Sequence, residues 1–132
     1  MSATRSPLPP SPLVYVVDDE PASAEVIAEL LQLEGYQTRV FVDSRVAAQE
    51  LAKADVKPDV LLADYLMPGL NGLELIARGK AEAHSLRTVL MTGFTANHLP
   101  PQINGKPDLC LTKPFAMEKL LKSVRLALDA NH

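Results

Sequence analysis

The sequence of 132 residues has no tryptophan, a single cysteine at position 110, and only three tyrosines and three phenylalanines. One cysteine excludes an internal disulfide, so packing and hydrogen bonds alone must hold the fold, which fits a cytoplasmic, reducing location. No apolar run approaches the roughly 18 residues that a membrane helix needs, and membrane insertion is not expected. A basic excess is also missing, since 13 lysines and arginines face 16 acids, for a net charge of −3. Nucleic acid is therefore not an expected partner, because such binding starts from neutralising phosphates. The length suits one domain and is too short for two.

Proline is plentiful, with 11 in the chain and four of them between Met1 and Pro12. That opening stretch has one arginine and no apolar segment, so it is not a secretory signal. Residues 1–12 are expected to form a disordered proline-rich arm, followed by one domain over 13–132.

Two periodicities alternate beyond the arm. Leu13-Val14-Tyr15-Val16-Val17 is a continuous apolar run, as in a strand covered on both faces. Pro21 sits where a first helical residue tolerates proline. Val26, Ile27, Leu30, Leu31 and Leu33 follow at helical spacing, and Gly35 supplies the stop. Gln37 to Val42 reads as a second strand, and Ser44 is the expected cap of a helix to about Lys53, with Val46, Ala47, Ala48 and Leu51 inward. Val60 to Ala63 is a third strand. A helix over Gly72 to Ala83 turns Leu73, Leu75, Ile76 and Ala77 inward. Thr88 to Met91 and Leu109 to Thr112 give strands four and five. Met117 to Leu128 closes as an amphipathic helix with Leu120, Leu121, Val124 and Leu128 inward. A further helix belongs between Thr95 and Pro107, but Pro100-Pro101 and Gly105 interrupt it, and an internal proline costs about 3 kcal/mol or more. That helix is expected to be short or irregular. The alternation predicts an α/β fold with a doubly wound, five-stranded parallel sheet in the order 2-1-3-4-5 and five helices. Such a sheet places its site at the carboxyl ends of strands one and three, where the winding reverses.

Polar residues stand just past the apolar runs: Asp18-Asp19-Glu20 after strand one, Asp64 after three, Thr92 after four and Lys113 after five. Each alone has an ordinary explanation as a helix cap, a turn residue or a surface lysine. Their recurrence at successive strand ends on one sheet edge does not. Three carboxylates drawn together repel unless a proton or a cation intervenes. A hard divalent ion such as Mg²⁺ answers that repulsion, since it binds through one or two carboxylates, waters and phosphate oxygens. With the ion and Lys113 present the formal charges cancel, and an aspartate so supported can attack phosphorus. No histidine stands near these ends to act as a base; His84, His98 and His132 read as surface residues.

The stretches Val-Tyr-Val-Val-Asp18-Asp19-Glu20-Pro21, Asp64-Tyr-Leu-Met67-Pro68-Gly-Leu-Asn71-Gly72, Met91-Thr92-Gly93 and Thr112-Lys113-Pro114-Phe115 together resemble the response-regulator receiver family of two-component signalling. The resemblance covers Leu13 to about Asn131 and implies the flavodoxin-like fold. It implies that Asp64 is the phosphoacceptor and that Asp18 and Asp19 hold Mg²⁺, one of them through water. Asp64 and the backbone carbonyl of Leu66 complete the protein's metal ligands, while Thr92 and Lys113 hold phosphoryl oxygens. Gly93 leaves the acceptor reachable, Met67-Pro68 shapes the loop after it, and the Lys113-Pro114 peptide is expected to be cis. The implied donor is a phosphohistidine on a sensor histidine kinase or a histidine phosphotransfer protein. The output is a changed contact with a downstream protein target, from a monomer or a weak phosphorylation-dependent dimer. No attached output domain is expected, and the only reaction catalysed is the chain's own phosphorylation and dephosphorylation.

Three departures from the family bear on function. Cys110 stands where such domains commonly carry a tyrosine or phenylalanine that moves with the threonine, so Thr92 and Cys110 together form an atypical switch position. The proline pair weakens the helix that normally shares the signalling face, and order in that segment is the expected substitute for ring movement. Leu66 and Phe94 are apolar and cannot steer an attacking water, so slow self-dephosphorylation is expected. Two alternatives stay open: a Mg²⁺-dependent phosphatase with an aspartate nucleophile, and a receiver that binds partners without phosphorylation.

Overall fold

Four largely apolar runs and one polar edge strand, Gln37–Phe41, assemble into one parallel sheet. A computed structural model of the chain describes residues 11–93 and 106–129. In chain order the elements are β1 (Leu13–Val17), α1 (Pro21–Leu33), β2 (Gln37–Phe41), α2 (Ser44–Lys53), β3 (Val60–Asp64), α3 (Gly72–Glu82), β4 (Arg87–Thr92), β5 (Leu109–Thr112) and α4 (Met117–Asp129). The sheet order is β2-β1-β3-β4-β5 with every neighbouring pair parallel. This is the expected doubly wound order. Four helices lie among the described residues. The irregular helix expected within 95–107 falls mostly outside them, as do residues 1–10 of the expected arm.

Alternate strand residues feed two cores. Val14, Val16, Val60, Leu62, Val89, Met91 and Leu111 pack with Ile27 and Leu31 of α1 and Leu120 and Val124 of α4. Tyr15, Val17, Leu61, Ala63 and Leu90 face the other way, onto Leu51 of α2 and Leu73, Leu75 and Ile76 of α3. Because both faces of β1, β3 and β4 are covered, these strands are continuously apolar rather than alternating. Leu61 and Leu90 are fully buried, and truncating either to alanine is expected to cost roughly 2–5 kcal/mol.

Helix ends explain several small departures from the sequence reading. Pro21 is the first residue of α1. The helix stops with Gly35 N–H donating to the Gln32 carbonyl (2.9 Å) and Tyr36 N–H to the Leu31 carbonyl (3.1 Å), the paired bonds of a Schellman ending. Val26 and Leu33, expected inward, are 55% and 83% exposed. The buried arc of α1 is already filled by Ala24, Ile27, Ala28 and Leu31, and a helix turns each successive residue about 100° away. Val46 is exposed for the same reason, because Ala47, Ala48 and Leu51 fill the inner face of α2. On α4, Ala127 is buried, while Leu121 and Leu128 are only partly covered. Ser44 does not cap α2: Asp43 does, its carboxylate accepting from Arg45 N–H at 2.9 Å. Ser44 is the first helical residue and is buried, with a different task taken up below.

Candidate functional site

The register of the sheet brings the polar strand ends to one edge. Val17 pairs with Phe41 on one side and Ala63 on the other, so Asp18, just past β1, and Asp64, the last residue of β3, stand at the ends of adjacent strands. Asp64 pairs with Met91, and Thr92 with Thr112, which places Lys113 one residue beyond. Backbone bonds extend the sheet into the site: Asp18 N–H reaches the Phe41 carbonyl at 3.1 Å, and Lys113 N–H the Thr92 carbonyl at 2.8 Å. On the far side, α3 begins directly against the end of β3. A Cβ at Gly72 would collide with the Asp64 carbonyl oxygen and the Leu90 side chain, so glycine alone allows that approach. An Asn71–Glu74 capping box then starts the helix.

Asp18 is 1% exposed. Its Oδ1 accepts from Glu20 N–H at 3.0 Å, whereas its buried Oδ2 has no hydrogen-bond partner among the described residues. Lys113 Nζ approaches that oxygen at 3.6 Å and Asp64 Oδ1 at 3.1 Å. Asp64 Oδ1 also accepts from Tyr65 N–H at 3.1 Å. Burial raises the Asp64 pKa above its ordinary value; Lys113 opposes the rise, and nearby Asp18 adds to it. Burial alone would lower the pKa of Lys113, yet Asp64 and Asp18 outweigh it and raise that pKa. Both groups thus hold protons more readily than usual, Asp64 chiefly through burial and Lys113 through its acidic neighbours.

Asp18, Asp19 and Asp64 each offer a carboxylate oxygen, and these oxygens lie within 4.8 Å of one another. Oxygens on opposite sides of one Mg²⁺ lie about 4.2 Å apart, from a bond length of about 2.1 Å. The spread of the cluster is of that order, so the three carboxylates stand close enough to be gathered around one such ion. An all-oxygen donor set with an orphaned, buried carboxylate oxygen fits a hard divalent cation and does not suit a softer metal. Beside the cluster runs an open, mainly apolar groove of about 690 Å³, lined among others by Asp18, Val26, Ile27, Lys113 and Phe115. A Cβ at Gly93, just past β4, would meet no atom of the described residues within 4 Å.

Residues 14–125 match the family model of the response regulator receiver domain. The chain belongs to that family. Among curated relatives, this receiver is 32% identical over 114 residues to the transcriptional regulatory protein TrcR of Mycobacterium tuberculosis, covering 85% of this chain and 43% of TrcR. It is 30% identical to the DNA-binding response regulator MtrA of Mycolicibacterium smegmatis, covering 89% of this chain and 51% of MtrA. The chain spans about half the length of these relatives. Among solved structures, the response regulator TrrA of Thermotoga maritima, determined in complex with Mg²⁺-BeF, is 26% identical with a TM-score of 0.76 over 89% of this chain and 99% of that one. A CheY-like receiver domain of Methanospirillum hungatei has a TM-score of 0.79 at 19% identity, over 92% and 96% of the two chains, and shows the shared fold.

The receiver's structure brings Asp18, Asp19, Asp64 and Lys113 together and buries Thr92 at the same edge. The Lys113–Pro114 peptide is cis. Leu66 follows the acceptor strand with its side chain 63% exposed. Cys110, on β5, is partly buried against the α2–α3 core, and burial pushes its thiol pKa up. Phe94, His98 and His132 lie outside the described residues. Two groupings escaped the sequence reading: Ser44 against the loop after β3, and Asp108 with Thr88 and Lys80 at the opposite sheet edge. The signal for the first was Asp43-Ser44 ahead of a helix, two short polar residues of which only one was needed as a cap.

Proposed function

We propose that Asp64 accepts a phosphoryl group from a phosphohistidine on a sensor histidine kinase or histidine phosphotransfer protein, with Mg²⁺ bound, and that the chain then signals through altered protein contacts. The observation that carries this reading is the pocket itself: Asp64 held 3.1 Å from Lys113, beside a buried Asp18 oxygen that has no hydrogen bond among the described residues. The TrrA complex supports it, because that relative was solved with Mg²⁺ and a fluoroberyllate group.

In the proposed transfer an Asp64 carboxylate oxygen forms the new P–O bond. The P–N bond to the donor imidazole breaks, and the electron pair leaves with that ring. Asp18, Asp19, Asp64 and the Leu66 carbonyl would hold the ion, which supplies charge neutralisation at the phosphoryl oxygens. Lys113, kept protonated by its acidic neighbours, pairs with one phosphoryl oxygen, and the Thr92 hydroxyl is assigned to another. Such transfers depend on positioning and charge stabilisation, so no base is required. The apolar groove beside Lys113 leaves room for the donor's approach. On this reading the chain turns over no external substrate, catalyses only its own modification, and works in the cytoplasm beside its kinase.

Incubation with acetyl phosphate and Mg²⁺, followed by intact mass measurement, tests the proposal. Wild type should gain one phosphoryl group and Asp64→Ala none. Equal modification of both, or of neither, overturns it. Turnover of a chromogenic phosphate ester would instead favour a phosphatase.

A further inference from the structure

Ser44 is a buried polar residue, 1% exposed, remote in sequence from the acidic cluster. Its hydroxyl donates to the Pro68 carbonyl oxygen at 3.1 Å and accepts from the Leu70 N–H at 3.0 Å. The two bonds straddle Gly69, whose φ of 82° makes the turn that presents both groups to one side chain. A hydroxyl can donate and accept at once, so this single atom closes the turn from outside. The neighbouring residues reinforce it. The Arg45 side chain lies across Gly69, close enough that a Cβ there would sit 3.1 Å from Nε. Arg45 is itself held by Asp43, at 3.3 and 3.2 Å from its two carboxylate oxygens.

The loop so gripped joins β3 to α3. Its ends are already fixed: Tyr65 N–H bonds the Met91 carbonyl at 2.8 Å, and Gly72 N–H bonds the Tyr65 carbonyl at 2.8 Å. Among the described residues, the hydrogen bonds at the middle of the loop are those from Ser44. Leu66 lies between the fixed start and this gripped turn. We propose that Ser44 is a positioning residue of the acceptor site, clamping the Pro68–Leu70 turn so that the Leu66 carbonyl is held ready for Mg²⁺. The inference rests on the reading of the Asp64 pocket as a Mg²⁺ site.

Calorimetry of Mg²⁺ binding, together with amide exchange at Leu70, tests it. Ser44→Ala should weaken Mg²⁺ binding about tenfold, in line with the loss of outer groups that orient metal ligands, and speed exchange at Leu70. Ser44→Thr, which keeps the hydroxyl, should restore most of both. Gly69→Ala disturbs the same turn from the loop side and should weaken Mg²⁺ binding in the same direction, which keeps the test available if Ser44→Ala folds poorly. Thr88→Ala removes a buried hydroxyl at the far edge of the sheet; it should lower stability without changing Mg²⁺ affinity. Wild-type affinity retained in Ser44→Ala and Gly69→Ala, or an equal loss in Thr88→Ala, overturns the clamp alone. No uptake by wild type would remove the acceptor reading and the clamp with it.

Discussion

Strand β4 carries a threonine at each edge of the sheet, Thr88 at the amino edge and Thr92 at the carboxyl edge, and an aspartate and a lysine from neighbouring elements stand near each. At the amino edge Asp108 is saturated. Its Oδ2 accepts from Thr88 N–H at 2.8 Å and Thr88 Oγ1 at 3.0 Å, its Oδ1 accepts from Lys80 at 3.3 Å, and its own N–H donates to Thr88 Oγ1 at 3.1 Å. Burial there would raise the Asp108 pKa, but the Thr88 and Lys80 contacts outweigh it and hold it below its ordinary value. At the carboxyl edge the Asp64 pKa is raised, and Asp18 keeps a buried oxygen that has no hydrogen bond among the described residues. The same residue types therefore form a structural clasp at one edge, where their bonding is complete, and at the other the charged cluster that the proposed function uses.

The largest effect that could break this contrast concerns the metal. Loss of an outer orienting group costs metal affinity about 10–100-fold, so loss of a direct ligand should cost about 100-fold or more. Asp18→Ala is accordingly expected to abolish measurable Mg²⁺ uptake in calorimetry, while Asp108→Ala leaves it unchanged. Retained uptake in Asp18→Ala would mean that the incomplete edge is not a metal site.

Stability should separate the two edges by sign. Replacing Asp108 by asparagine removes charge-assisted bonds worth about 2 kcal/mol in a partly buried setting, and chemical denaturation should show that loss. Asp64→Asn should go the other way without Mg²⁺, raising the melting midpoint at pH 7, because it mimics the protonated form that the folded pocket favours. Destabilisation by both substitutions would remove the distinction.

Acid titration sharpens the same point. Asp108 has a folded pKa below its ordinary 3.8, so its contribution is present above 3.8 and is lost as pH falls through the lower folded value. Asp64 has a folded pKa above its ordinary 3.8; its contribution is full below 3.8 and is lost as pH rises through the raised value. Asp108→Asn should flatten the acid limb of a stability–pH curve below pH 3.8, whereas Asp64→Asn should alter the curve above it. Stability curves of the two variants that parallel wild type throughout would contradict both assignments.

Much of this was legible in the chain. Strand runs buried on both faces leave no alternation to misread, and the residue after each run falls on the sheet edge by topology alone, which is why Asp18, Asp64, Thr92 and Lys113 could be grouped. Hydrophobicity does not by itself say which residue of a helix faces in: Val26 and Leu33 are as apolar as Ile27 and Leu31, and only the arc already occupied leaves them outside. Ser44 and Asp108 were hidden for another reason. Their partners, Pro68, Leu70, Thr88 and Lys80, lie 20 to 28 residues away in sequence, and a long-range hydrogen bond leaves no local periodicity.

The smallest expected effect concerns the open side of the carboxyl edge. Leu66 projects its side chain largely into solvent immediately after the acceptor strand, where it offers water no hydrogen bond. A polar group there could orient a water toward an acyl phosphate on Asp64, a fraction of the 10²–10⁴-fold that a fully positioned proton-transfer group supplies. Leu66→Asn is therefore expected to shorten the lifetime of the phosphorylated chain about 5-fold, measured as decay of the phosphoryl mass after removal of acetyl phosphate. Leu66 is largely exposed and belongs to neither buried cluster, so thermal stability should stay near that of wild type. An unchanged lifetime would show that water reaches the acceptor by a route that the exposed Leu66 does not govern, and the contrast between edges would then rest on bonding alone.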